Sequence, residues 1–376
     1  MKKILHISKY YYPFSGGTEQ IARDVVLALK EDYIQKIIAF NDEKKTDEYT
    51  KVDGIDVIKC GCVAKISSQS ISLSYRKELN KVLDEFRPDI IVFHYPNPFV
   101  AAILLKEIKK YENTKLVVYW HLDIIRQKFL RIFFKGQNRK LLSRADMVIV
   151  TSPNYVEGSE WLNSVKEKCM IIPNCINIER MELTPEIEKR AAEIRDENSG
   201  KTICVAVGRH TEYKGFSYLV QASKFLDDSF KIYITGKGEL TEDLHKEAAG
   251  DDKVSFTGRI DDTELKALIL ASDIFCFPSI TKNEAFGLAL AEGMYYGKPA
   301  VTFTIPGSGV NYVCIDGEDG IEVENRNTEK YAEAMKKLSG DAGLRQQYGE
   351  AGRKRVMENF LSTQFCENVR KAFGEL

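Results

Sequence analysis

At 376 residues the chain is long for a single hydrophobic core, which predicts two domains. Its 44% hydrophobic and 29% charged residues, with a formal net charge of −1, are those of an ordinary soluble globular protein and exclude a disordered or fibrous chain. No apolar run approaches the roughly 18 residues that span a bilayer, and the opening MKKILHISKYYYPF has only Ile4–Ile7 as its apolar part, so no signal peptide is expected, and a cytoplasmic protein is.

In chain order, KKILHIS reads as a strand, TEQIARDVVLALKE as an amphipathic helix and QKIIAF as the next strand. Helix YRKELNKVLDEF precedes strand DIIVFH, helix VAAILLKEIKKY precedes strand KLVVYW, and ADMVIVTS is a further strand. After MIIPNCINIERM comes a charged stretch, residues 186–201, without a core period. The alternation then restarts with strand TICVAVG, helix GFSYLVQASKFL, strand FKIYITG, helix LTEDLHKEAA, strand KVSFTG, helix DDTELKALILAS and strand DIFCFPS. The run with Glu284 and Glu292 reads as a helix opened by Gly287, strand KPAVTF follows, and the final segment is long and helical. Apolar strands alternating with amphipathic helices predict parallel sheets covered on both faces. The expected domains are residues 1–178 and 179–360, with a C-terminal helix, 361–376, packing back on the first. Two such domains facing across a cleft would bind a ligand at the C-terminal ends of their strands.

Residues 1–178 hold 28 Lys/Arg against 21 Asp/Glu, and the remainder holds 26 against 34. A basic first half predicts an anionic partner there. The eight cysteines are scattered through strand-like apolar settings and read as reduced core residues.

Several loops carry chemistry. In YYPFSGGTEQ, Gly16 and Gly17 follow a strand and open a helix, which suits close approach of an anion to free backbone N–H groups or a plain tight turn. TGKGEL holds Gly236 and Gly238 but lacks the third glycine of a dinucleotide fingerprint, so nicotinamide binding is not expected. In VGRHTEYKGF, Arg209 and Lys214 lie between a strand and a helix, where a planar fork and a point charge suit a diphosphate. Two solvated surface cations would look the same. In KNEAFGLALAEGMYYGKPAV, Glu284 falls in a loop, Gly287 opens a helix and Glu292 lies two turns inside it. Backbone N–H groups around Phe286, Gly287 and Leu288 would meet phosphate oxygens, and the two carboxylates would accept bonds from sugar hydroxyls. The alternative is one glutamate complementing the helix dipole and another in a salt bridge. The run at residues 124–145 has seven Lys/Arg, among them Arg126, Lys128, Arg131 and Lys135, and no acid, interleaved with phenylalanines and leucines. It reads as a membrane-surface helix or as a helix on the first sheet with a solvated basic face. No Asp-x-Asp pair occurs in the chain, which agrees with cations and helix dipoles, rather than a metal, neutralising a diphosphate.

These pieces, in this order, resemble the retaining GT-B glycosyltransferases of family GT4. NEAFGLALAEGMYYGKPAV resembles the family's E-x7-E segment, GRHTEYKG its Arg…Lys phosphate loop, YYPFSGGTE its glycine loop and IIPNCIN its interdomain Pro-Asn segment. HLDIIRQK is similar to the H-S-D-I-x-R-Q-K run of bacterial enzymes of polysaccharide and O-antigen assembly, with Leu122 departing from it. The resemblance implies a nucleotide diphosphate sugar donor, GDP-mannose or a UDP-hexose, a glycan or polyprenyl-diphosphate-linked glycan acceptor at the inner membrane face, and no cofactor, metal or nucleic acid. It implies that His121 lies close to the donor sugar, that Arg209 and Lys214 stabilise the leaving diphosphate, that Glu284 holds the transferred sugar and that Glu292 holds the ribose. A sugar-nucleotide 2-epimerase on the same fold and a nucleotide-binding protein without turnover are the competing readings.

Overall fold

In the computed structural model every residue is described except 15, 42, 43, 67, 68 and 124–127, and no side chain is described for these or for residues 66 and 128–133. The chain forms two compact units, Met1–Asn174 together with Thr363–Leu376, and Cys175–Ser362.

The first unit holds strands β1 (Lys3–Ile7), β2 (Ile34–Asn41), β3 (Glu48–Val52), β4 (Ile55–Gly61), β5 (Ala64–Ile66), β6 (Gln69–Ile71), β7 (Ile90–Tyr95), β8 (Lys115–Trp120), β9 (Met147–Val150) and β10 (Cys169–Ile171). Eight of them form one sheet in the order β10-β9-β8-β7-β1-β2-β4-β3, parallel except for the edge pair β3–β4. All six residues of β7, IIVFHY, are buried, as a parallel strand covered on both faces requires. The sheet grows from β1 in both directions, so the loops after β1 and β7 leave at a switch point, where open α/β sheets bind ligands.

Two features escape the periodicity argument. Strands β3 and β4 are joined by Asp53-Gly54, both at positive φ (53° and 83°), the two-residue turn that Asp-Gly favours. The run between QKIIAF and YRKELNKVLDEF therefore holds a hairpin, followed by the small antiparallel pair β5–β6. The long C-terminal run is two helices, Ala342–Asn359 and Ser362–Gly374, divided where Ile176 N donates to Phe360 O and Ser362 N donates to Ile176 O. The second helix belongs to the first unit. Its Phe373 is fully buried, Tyr33 Oη donates to Phe373 O at 3.1 Å, and Arg370 Nε donates to Ala28 O at 2.9 Å.

The second unit holds β11 (Thr202–Val207), β12 (Phe230–Thr235), β13 (Val254–Gly258), β14 (Ile274–Phe277), β15 (Ala300–Phe303) and β16 (Gly320–Val323). Their order, β13-β12-β11-β14-β15-β16, with every pair parallel, is the doubly wound order of dinucleotide-binding sheets. Its switch point lies between β11 and β14. The charged stretch after Pro185 is a helix, Pro185–Glu197, against the expectation of no core period. Thr184 caps it, and Ile187, Ala191 and Ile194 form a sparse buried stripe at helical spacing. Arg190 ties that helix to Glu264 through two hydrogen bonds of 2.9 and 3.1 Å. Among the described residues no helix is long and apolar enough to cross a membrane.

The helix Leu288–Tyr295 seats on β14 through Gly293. A Cβ there would lie 2.4 Å from the Phe275 ring, which is buried and has no room to yield. Gly293→Ala is expected to push this helix off the sheet and destabilise the protein by about 1–3 kcal/mol, read as a lower urea midpoint at unchanged m. An unaltered midpoint would show that the contact relaxes freely.

Candidate functional site

The second unit gathers its site residues at the switch point. After β11 the chain passes Gly208 and the exposed Arg209, makes a 3-10 turn at Glu212–Lys214 and turns again at Gly215, φ 65°. A Cβ on Gly215 would stand 2.0 Å from Pro278 O, so only glycine lets this loop lie backbone to backbone on the loop that follows β14. Ile280 N donates to Tyr213 O at 2.9 Å across the same seam. The result is that Lys214 Nζ meets Glu284 Oε2 at 2.5 Å, with the two side chains 13% and 12% exposed. Burial pulls the ammonium's pKa down, but the Glu284 carboxylate and Tyr213 outweigh it, so Lys214 ends above the ordinary lysine value. Ser279 Oγ donates to the same carboxylate oxygen at 3.3 Å, and Ser308 Oγ donates to Glu284 O.

Gly287 stands at φ 97° as the N-cap of the helix that begins at Leu288. Phe286 is 2% exposed and packs edge-on against Phe360 at 5.3 Å, so its side chain anchors the loop and only its backbone can meet a ligand. Glu292 is the fifth residue of this helix, one turn inside rather than two. Burial raises its carboxyl to about 7, with Arg180 and Lys214 pulling down and Asp262 pushing up. One stretch thus holds two glutamates in opposite settings, Glu284 against a cation and Glu292 desolvated.

Beside them is a hollow of about 250 Å³ lined by Arg209, Lys237 and Arg259 among others, at the ends of β11, β12 and β13. Lys237 and Arg259 are absent from the sequence-derived set. The signal was the Gly236-Lys237-Gly238 run. A Cβ on Gly236 would lie 2.0 Å from Gly208 O, and one on Gly238 would lie 2.3 Å from His210 O. These glycines let neighbouring strand ends close up, and they place Lys237 beside Arg209 without a dinucleotide fingerprint.

In the first unit Gly16 is the N-cap of helix Gly17–Ala28 at the end of the β1 loop. A Cβ on Gly16 would meet the Glu19 carboxylate at 2.4 Å, whereas one on Gly17 would meet nothing within 4 Å. His121 directly follows β8 and is 6% exposed. Its Nε2 lies 3.1 Å from His94 Nδ1, and its ring stacks on Tyr119 at 4.6 Å. Burial lowers His121 to about 3, so it is neutral at physiological pH. Asp123, also outside the sequence-derived set, is 4% exposed and accepts from Trp120 Nε1 at 2.8 Å and Ser159 Oγ at 3.0 Å. It fastens the loop that carries His121. Arg126 lies outside the described residues, as do the side chains of Lys128 and Arg131. Lys135 is exposed on helix Lys128–Arg144, which buries Asn138, Leu141 and Leu142.

A carboxyl whose folded pKa lies above its unfolded value costs stability as pH rises between the two, here from the ordinary 4.5 to about 7. Glu292→Gln is therefore expected to stabilise the ligand-free protein at pH 8 by on the order of 1–2 kcal/mol and to change it little near pH 4.5. Thermal melts at the two pH values read the difference; equal shifts would place Glu292 in water.

Comparison with known proteins agrees with this geometry. Residues 15–180 match the family model Glycosyltransferase Family 4 and residues 188–355 match the model Glycosyl transferases group 1. The chain is 28% identical to the O-antigen chain mannosyltransferase C of Escherichia coli, over 97% of this chain and 96% of that one. It is 29% identical to the D-rhamnosyltransferase WbpZ of Pseudomonas aeruginosa, over 89% and 86%. Its fold superposes on the sucrose-phosphate synthase of Thermosynechococcus elongatus with a TM-score of 0.83 at 18% identity, over 100% of this chain and 99% of that one. With one family model on each unit and a doubly wound sheet under the Arg209–Lys214 loop, the chain belongs to the family 4, or group 1, glycosyltransferases of the GT-B fold.

Proposed function

We propose that this protein is a retaining glycosyltransferase that moves a hexose from a nucleotide diphosphate sugar, GDP-mannose or a UDP-hexose, to a lipid-linked glycan in cell-surface polysaccharide synthesis. The observation that carries the reading is the Lys214–Glu284 pair, with Arg209 within electrostatic reach, at the switch point of a doubly wound sheet. An ammonium already held between a carboxylate and a strand end can receive the negative charge that builds on a departing diphosphate, which is where such a transfer needs help. Arg209 and Lys214 take the diphosphate, along with the helix start at Phe286, Gly287 and Leu288. Glu284 accepts from the hydroxyls of the transferred sugar and Glu292 from those of the ribose. His121 is assigned to the sugar and the Gly16-Gly17 turn to the phosphate. The positive charge of these side chains stands in for a divalent metal.

The names of two relatives that span most of the chain, a mannosyltransferase and a D-rhamnosyltransferase, support a hexose donor, and the first also supports an O-antigen acceptor. The basic run around Lys135, with Arg126, Lys128 and Arg131, is assigned to the phosphate-bearing lipid of the acceptor and the inner membrane surface. The competing epimerase would release free nucleotide and an altered sugar without an acceptor, and a non-catalytic binder has no use for His121, Arg209, Lys214, Glu284 and Glu292 together.

A panel of sugar nucleotides in a thermal-shift assay, followed by transfer to membrane-extracted lipid-linked glycan, tests the reading. One donor is expected to raise the Tm and to yield an acceptor heavier by one hexose. Lys214→Ala is expected to slow that transfer by roughly 10²–10³, and EDTA to leave it unchanged. Full rate in the Lys214 variant would remove this side chain from the chemistry. Nucleotide release without acceptor extension would favour the epimerase.

A further inference from the structure

Three histidines and a glutamine form a buried row across four adjacent strands of the first unit. Gln35 lies on β2, His6 on β1, His94 on β7 and His121 just past β8. Gln35 and the three histidines are no more than 7% exposed. The strand registers put them on one face, because His6 pairs with Val92, two residues before His94, and His94 pairs with Tyr119, two residues before His121.

Hydrogen-bond direction can be followed along the row. Gln35 Nε2 donates to Val26 O at 2.9 Å, so the oxygen Oε1 is the atom that faces His6 Nε2 at 2.7 Å. An amide oxygen only accepts, so His6 carries its proton on Nε2. Its Nδ1 is then a bare lone pair, buried and without a hydrogen-bond partner among the described residues. His94 shows the same pattern at the next strand. Its Nε2 is buried with no hydrogen-bond partner, and its Nδ1 lies 3.1 Å from His121 Nε2. One of those two nitrogens must donate. Were it His121, His94 would carry its proton on Nε2, a buried N–H with no acceptor. Orphaned donors are rarer in folded proteins than orphaned acceptors. Were His94 the donor, the buried Nε2 would be bare, as His6 Nδ1 is.

Resting on the reading of His121 as a donor-sugar contact, we infer that His94 is a positioning residue: its Nδ1–H donates to His121 Nε2 and holds His121 as the Nδ1–H tautomer, so that His121 offers the substrate a neutral hydrogen-bond donor. The arrangement decides what His121 can do. Its Nε2 lone pair is engaged by His94, and its other nitrogen carries a proton, so it has no lone pair with which to act as a base. It can donate to an oxygen of the sugar, and stacking on Tyr119 and His94 fixes the direction of that bond. Burial lowers the pKa of all three imidazoles and keeps the row uncharged, which a tautomer lock requires.

The test has two arms that fail separately. The full chain is labelled with ring-15N histidine, and its five histidines are assigned with His121→Gln and His94→Asn. Long-range 1H–15N correlations are expected to show His121 protonated on Nδ1 and unprotonated on Nε2, in the absence of any substrate. The opposite tautomer overturns the inference whatever the enzyme transfers. In the second arm, His94→Leu is expected to lower kcat by about 10–100-fold with little change in the KM for the sugar nucleotide. His94→Asn, whose amide N–H stands where Nδ1–H did, is expected to restore most of that rate. Circular dichroism confirms that both variants fold. Equal rates in the two folded variants overturn the inference. Should wild-type protein transfer no sugar from any donor, the proposed function fails while the tautomer is still read in the first arm.

Discussion

The site of the second unit depends on one steric constraint, the close approach of two loop backbones on either side of the β11–β14 switch point. Gly215 makes it possible, because any larger residue would drive its Cβ into Pro278 O. The seam fixes the 3-10 turn ending at Lys214 against the loop ending at Glu284, and the ion pair follows from that placement. Desolvating an ammonium and a carboxylate costs several kcal/mol for each ion, and their attraction only about offsets it, so such a pair is weak evidence for stability. On the function proposed above, its sense is chemical. A lysine held charged and nearly immobile needs no reorganisation when a second anion arrives, and preorganised charge of this kind is what a departing phosphate uses.

The two glutamates of the Glu284–Glu292 stretch sit in settings that suit different work. Glu284 is paired with Lys214 and its backbone is clamped by Ser308, so it presents an oriented acceptor. Glu292 is half-buried on a helix, where desolvation outweighs the pull of Arg180 and Lys214, and its carboxyl rises to about 7. A group in that position gains from any ligand that supplies hydroxyl donors, because those bonds replace the water that folding removed. Environment alone separates the two settings, as it does in sites that use paired carboxylates for different tasks.

The βαβ alternation was legible because parallel strands are continuous apolar runs and their covering helices keep a 3.6 period; β1, β2, β7 to β9 and β11 to β15 all fall where that pattern puts them. What it passed over has physical reasons. In the β3–β4 hairpin, β3 is the half-exposed sheet edge with charged residues and little apolar contrast, and its Asp53-Gly54 turn is the clearest signal. Helix Pro185–Glu197 buries only Ile187, Ala191 and Ile194, so its period is drowned by charge, although Thr184-Pro185 is a start signal. Arg209, Lys214 and Glu284 were legible because each sits in a strand-end loop, and Glu292 because it follows the glycine-opened helix start by one turn. His94 and His6 were not. A histidine inside an apolar strand looks like any other buried residue until strand order and register show which neighbours share its face.

Net charge summed over half of the chain does not locate a positive field within it. The acidic half of the sequence, with its surplus of Asp and Glu, holds the hollow lined by Arg209, Lys237 and Arg259. Its acids are dispersed over helix surfaces, many of them paired, as Glu193, Glu197 and Glu264 are with Arg190. Charges farther away than about 8–10 Å are largely screened at physiological ionic strength. The local field is therefore set by the three cations at adjacent strand ends. Those strand ends converge because Gly236 and Gly238 let their backbones close up on Gly208 and His210, so the positive potential is a product of glycine placement as much as of the cations themselves.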